Sequence, residues 1–192
     1  SRAVGKSVSL QQLNGASREE FVSALRPLFN NETWPLELAW ESRPFGDVNE
    51  LRAAIQVAVL TADDSRRAAL IHDYPAMDEL LLADADEAAT ISADRGSLGL
   101  TDLDDAQTER ITELSAAYRE RFDMPFVAYL DTNDTVDRVI DVGVRRLANS
   151  PEQEYRTALG EIVEIANDRF DILLADANPV RSSWDRKFTE VD

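Results

Sequence analysis

The scarcest side chain in this sequence narrows the chemistry first. There is one histidine, His72, in the stretch RRAALIHDYP from Arg66 to Pro75, and the chain has no cysteine. Histidine as a residue type gains and loses its proton near pH ~6.5 without special tuning, so His72 is the candidate for any proton transfer. The lack of cysteine rules out disulfides and thiolate metal sites, and a single imidazole makes a zinc centre unexpected, so metal-free chemistry is anticipated. Three further stretches carry polar and aromatic residues that could form a site with it: WESRPF at 40–45, RERFDMPFVAYL at 119–130 and EIVEIANDRF at 161–170, the last of which contains Arg169. Plainer readings stand beside these. His72 can be a helix-end residue with its ring nitrogens satisfied, and Arg169 an ion-pair arginine next to Glu164 or Asp168.

The elements that must position these residues are helices. Asp63, Asp64 or Ser65 can cap a helix that carries Ala68, Leu70 and Ile71 up to His72, and Pro75 pushes the residue before it out of helical geometry. His72 therefore belongs at or just past a helix C-terminus. Upstream, order is expected from Leu13 and Asn14. Ser17 and Glu20 have capping-box spacing, and Phe21, Leu25 and Leu28 follow on one face. A short aromatic helix, Trp34 to Trp40, ends at Arg43-Pro44-Phe45. A longer one runs from Asp47 to Thr61, with Leu51, Ile55 and the Ala54/Ala58 pair inward.

Downstream, Thr90 to Leu100 reads as a short helix ended by Gly99. Asp104 to Phe122 reads as a long one with Ile111, Leu114, Ala117 and Tyr118 on its stripe. Pro125 stops that helix, and Phe126 to Leu130 is expected to be extended and strand-like. Asp134 or Thr135 starts a helix with Val136, Val139, Ile140 and Val144 along one side. Ser150-Pro151-Glu152-Gln153 opens the last helix, which reaches Leu174. The sum is an all-α, single-domain bundle of about eight helices with a short extended segment near 126–130. Residues 1–12 are read as an N-terminal arm, 13–177 as the helical domain and 178–192 as a polar tail.

Composition sets the partners. The 192 residues include 37 Asp and Glu against 20 Lys and Arg, a formal net charge of −17. Such a surface repels phosphate backbones and anionic lipid, so neither nucleic acid nor membrane is an expected partner. Apolar runs fall short of the roughly 20 residues that span a bilayer, and no charged-then-apolar leader is seen, so a cytoplasmic location is expected. An anionic small-molecule substrate must then find arginines gathered in its pocket.

Taken in order, these segments resemble the 2-oxo-4-hydroxy-4-carboxy-5-ureidoimidazoline (OHCU) decarboxylase family of urate degradation. The resemblance runs from Leu13 to Leu174. It is carried by Leu13-Asn14, Glu20-Phe21, Trp34, Trp40, Arg43-Pro44-Phe45, His72, Gly99-Leu100, Ala117-Tyr118-Arg119, Phe122, Pro125-Phe126, Arg146-Leu147, Asn149, Glu154, Ala158-Leu159, Glu161-Ile162, Ile165-Ala166 and Arg169. It implies cofactor-free decarboxylation of the ureidoimidazoline to S-allantoin and, as is common in the family, a homodimer.

By the same resemblance the catalytic histidine is His72, which opens a His-Pro-Asp-Leu motif in the family. Here the sequence reads His72-Asp73-Tyr74-Pro75, so Asp73 and Pro75 are carried as substrate-binding candidates. The family's Ser-x-x-Glu-Gln segment falls on Ile91, Asp94 and Arg95. Asp94 takes the glutamate's place as the second catalytic carboxylate, the hydroxyl is lost at Ile91 unless Ser92 replaces it, and Arg95 replaces an amide. The backbone of Phe126, Val127 and Ala128 is implied to meet the ring and ureido nitrogens, and Arg169 the anionic end of the substrate. These departures keep two alternatives open: a same-fold enzyme acting on a related ureido or hydroxy-carboxylate, and a non-catalytic helical binding module.

Overall fold

A computed structural model describes residues 7–82, 103–131 and 134–175. Its described residues are helical in class, and the only β pairing among them is an isolated parallel bridge between Val8 and Leu174. By Cα proximity the chain forms two compact units, residues 1–62 with 166–192, and residues 63–165.

In the first unit, α1 spans Leu10–Asn14. It starts three residues before the expected onset because Ser9 and Gln12 close a reciprocal capping box, each side chain accepting from the other residue's backbone N–H. The Ser17/Glu20 box forms as anticipated and starts α2, Arg18–Leu25. A 3₁₀ turn, Arg26–Leu28, then leads to α3, Trp34–Trp40, and Asp47 caps α4, Val48–Thr61. Leu13, Phe21, Leu25, Leu28, Leu36 and Leu51 are essentially excluded from water. Burial of each such side chain contributes roughly 1.5–3 kcal/mol.

Two of the family-like stretches close this unit. Asn14 Nδ2 donates to the Phe45 carbonyl at 2.9 Å, and Phe45 N–H donates back to Asn14 Oδ1 at 2.8 Å. Arg43 Nη1 donates to the carbonyls of Asn14 and Ala16 while its guanidinium lies 4.1 Å from the Trp40 ring centroid. WESRPF is thus a clamp that fixes where α3 ends and α4 begins.

The second unit begins with α5, Asp64–His72, capped by Asp63, and α6, Met77–Leu82. Next come α7, Asp105–Phe122, α8, Val136–Arg146, and the first part of α9, Pro151–Leu173, whose last turns belong to the first unit. Asp104 caps α7, Thr135 caps α8, and Ser150 and Gln153 form the box that starts α9. Asp123 closes α7 in the left-handed region, at φ 54°, which Asp tolerates better than most residues.

Two helix faces differ from expectation. On α7, Ile111, Leu114 and Tyr118 are buried as expected, but Ser115 joins them while Ala117 is exposed. On α8, Val144 is 52% exposed while Gly143 and Arg146 join Val136, Val139 and Ile140 on the inner face. Gly143 is there because nothing larger fits. A Cβ at that position meets Leu114 Cδ2 at 2.5 Å and Phe126 Cζ at 2.9 Å. Gly143→Ala is expected to destabilise the protein by about 1–3 kcal/mol through overpacking, despite the better helix propensity of alanine. A urea midpoint equal to or above that of the parent protein rejects this account of the α7–α8 contact.

Candidate active site

His72 is the last residue of α5 and is exposed. The turn behind it is tight: Asp73 N–H donates to the carbonyls of Ala69 and Leu70, and Tyr74 N–H to that of Ile71. Leu70, Ile71 and Tyr74 are buried, so the backbone on both sides of His72 is anchored while its imidazole reaches solvent. Asp73 and Pro75 are half-buried. Ile91, Ser92, Asp94 and Arg95 lie outside the described residues.

The segment after α7 is the most informative part of this unit. Met124 to Ala128 and Leu130 are buried, yet the stretch 125–131 has neither helical nor strand structure. The extended piece expected there finds no partner strand among the described residues, and its peptide groups turn to side chains instead. Arg146 Nη1 donates to the Val127 carbonyl at 2.8 Å, and Tyr129 N–H donates to Glu161 Oε1 at 3.2 Å. Among the described residues, the N–H groups of Phe126, Val127 and Ala128 find no acceptor. Buried backbone donors are nearly always paired, so this short run of peptide groups is suited to receiving a ligand rich in acceptors.

Behind the segment lies a buried polar network. Glu154 is fully buried and Arg146 7% exposed. Glu154 Oε2 accepts from Arg146 Nε at 2.7 Å and from the Tyr118 hydroxyl at 2.5 Å, with Arg146 Nη2 2.6 Å away, while Oε1 accepts from Asn149 Nδ2 at 2.9 Å. Burial, reinforced by the bond to Glu154, pushes the Tyr118 hydroxyl far above its usual value, which keeps it a donor. The guanidinium also lies 4.9 Å from the Phe126 ring centroid and 5.9 Å from that of Tyr118.

A cleft of about 530 Å³ opens beyond this point, with Ala128, Tyr129, Asp131, Arg138, Val142 and Glu161 among its lining residues. Partial burial raises the Glu161 carboxyl above the ordinary carboxylate range, opposed by the Tyr129 N–H bond and by Arg146.

Arg169 lies on the part of α9 that belongs to the first unit. It is half-buried, and Nη1 donates to the Leu28 carbonyl at 3.3 Å and to Asn30 Oδ1 at 3.2 Å. Those two acceptors orient the guanidinium. Among the described residues no group of three or more His, Asp or Glu side chains is placed to hold a metal ion, and no helix is long and apolar enough to cross a membrane.

Sequence reasoning marked Arg146, Asn149 and Glu154 only as points of family likeness and assigned them no role. The signal available is their company: an arginine and a glutamate eight residues apart, each on the otherwise apolar face of its own helix.

Comparison with known proteins places these features in a family. The sequence profile of OHCU decarboxylase matches residues 14–171. A 2-oxo-4-hydroxy-4-carboxy-5-ureidoimidazoline decarboxylase of Haloferax volcanii is 37% identical over 164 residues, covering 84% of this chain and 94% of that protein. The Mus musculus protein of the same name is 32% identical over 181 residues, covering 91% of this chain and 98% of its own length. Among solved structures, a crystal structure of (S)-allantoin synthase superposes with a TM-score of 0.67 at 22% identity. That likeness extends over 87% of this chain and 54% of the solved one, about half its length, and it bears on the fold alone.

Proposed function

Because the chain belongs to the OHCU decarboxylase family, we propose that it decarboxylates 2-oxo-4-hydroxy-4-carboxy-5-ureidoimidazoline to S-allantoin in urate degradation, without a cofactor. The observation that carries the reading is the span of the family match, residues 14–171, which includes His72, the backbone of Phe126–Ala128, whose N–H groups find no acceptor among the described residues, and Arg169.

The substrate's chemistry explains the residue types. One tetrahedral ring carbon bears both a carboxylate and a hydroxyl. When the bond to the carboxylate breaks and carbon dioxide leaves, its electron pair forms a C=C bond to the neighbouring ring carbon and the C=N pair moves onto the ring nitrogen, which takes up a proton. The hydroxyl proton then leaves as a carbonyl forms, and a second proton adds to one face of the ureido-bearing carbon, so that one proton is consumed overall. The protein must orient the carboxylate and move protons. His72 is the acid-base group, with Asp94 holding either its imidazole or the hydroxyl. The backbone of Phe126, Val127 and Ala128 offers its N–H groups to the ring and ureido portion, and Arg169 meets the anionic end as a planar fork. Asp73, Pro75, Ile91, Ser92 and Arg95 complete the proposed binding set. A cytoplasmic homodimer is part of the same reading.

The decisive experiment supplies freshly generated ureidoimidazoline and follows the circular dichroism of the product. Stereoselective appearance of S-allantoin supports the reading. Ligand binding without turnover returns the chain to a helical binding module, and turnover of a different hydroxy-carboxylate to a same-fold enzyme whose departures at Ile91, Asp94 and Arg95 changed its substrate.

Arg169→Lys keeps the charge but loses the bidentate fork, so KM is expected to rise about tenfold or more with a smaller change in kcat. Unchanged kinetics place Arg169 outside the pocket.

A further inference from the structure

The Arg146–Glu154 pair has no part in the proton or carboxylate chemistry, and stability alone does not require it. Two charges withdrawn from water recover their desolvation only in good geometry, and apolar residues of similar volume are often as stable. The geometry here has a direction. Glu154 Oε2 accepts from Nε of Arg146, with Nη2 2.6 Å away as an ion-pair contact, and Glu154 is itself held by Tyr118 and Asn149, which leaves the guanidinium fixed in plane. Its remaining nitrogen, Nη1, points out of the pair to the Val127 carbonyl. Val127 belongs to a buried stretch, 125–131, that no helix or sheet organises, and the ring of its neighbour Phe126 lies against the same guanidinium.

We infer that Arg146, oriented by Glu154, is a positioning residue that sets substrate affinity by holding the peptide groups of Phe126–Ala128 in the arrangement that receives the ligand. This rests on the decarboxylase reading for the identity of that ligand. It also explains why Arg146 and Glu154 occur with Pro125-Phe126 among the family-like residues although neither is needed for the reaction itself.

Arg146→Lys tests the inference. It keeps the charge and one contact to Glu154, but an ammonium cannot reproduce a planar fork that serves a carboxylate and a carbonyl together. KM for the ureidoimidazoline is expected to rise roughly tenfold, about what one lost charge-assisted hydrogen bond is worth, with kcat changing less than about threefold. A second variant separates positioning from stability. Tyr118→Phe, Arg146→Met and Glu154→Leu together replace the network with apolar volume and should melt near the wild-type temperature while KM stays raised. Leu25→Ala, in the core of the other unit, should lower the melting temperature and leave KM unchanged.

Wild-type KM in a folded Arg146→Lys or triple variant overturns the inference. Allantoin binding by calorimetry gives the same comparison without turnover. A wild type that binds allantoin but does not decarboxylate refutes the proposed activity, while weakened binding in the two Arg146 variants still supports the positioning role. Equal binding in all of them overturns it.

Discussion

His72→Asn is expected to lower the rate of ureidoimidazoline decarboxylation by at least about 10²-fold, the lower end of what a positioned acid-base group supplies. Asparagine can occupy the same space and form hydrogen bonds, but it cannot take up and return a proton. Stability should change by less than about 0.5 kcal/mol, because His72 is exposed at the last position of α5 and the anchoring contacts there are made by Leu70, Ile71 and Tyr74. That separation makes the result readable, since a folded protein with lost turnover isolates the proton step. If Asp94 orients the imidazole, the variant lacking both side chains should be little slower than His72→Asn alone, because groups acting as one unit are not additive. A His72→Asn protein that decarboxylates at the wild-type rate removes His72 from the mechanism and leaves it a helix-end residue.

Glu154→Ala is expected to have the largest effect on stability, a loss of about 3–5 kcal/mol. Glu154 is fully buried, and its removal leaves the Arg146 guanidinium, itself almost wholly buried, without its counter-charge. The Tyr118 hydroxyl and Asn149 lose their acceptor at the same time. Whole domains are stable by only about 5–15 kcal/mol, so this one change should move the urea midpoint far enough to measure easily. The direction also distinguishes a paired charge from a solvated one. A loss below about 1 kcal/mol matches an exposed ion pair, and the network would then have to be open to water.

The placement of the helices was legible in the sequence because a helix start is a local event. Ser17 with Glu20, Ser150 with Gln153, Asp104, Asp63 and Thr135 act on backbone N–H groups two or three residues away, so adjacent letters carry the whole interaction. Ser9 with Gln12 obeys the same rule and was equally available. The family likeness and the position of His72 at a helix end were legible for a related reason, since both depend on residue identity and short spacing.

What the tertiary structure decided is everything whose partner is distant in sequence. Val144 looked like a core position by its apolar side chain, but α8 turns Gly143 inward because Leu114 and Phe126 leave no room for a Cβ. Phe126–Leu130 looked like a strand, yet its peptide groups are held by the side chains of Arg146 and Glu161, 19 and 32 residues away along the chain. Arg146 and Glu154 look like surface residues to any hydropathy pattern, because burial of a charge depends on a partner that periodicity does not register. Local spacing determines where this chain becomes helical, whereas long-range hydrogen bonds and close packing decide which polar groups it buries and how the non-helical stretch 125–131 is held.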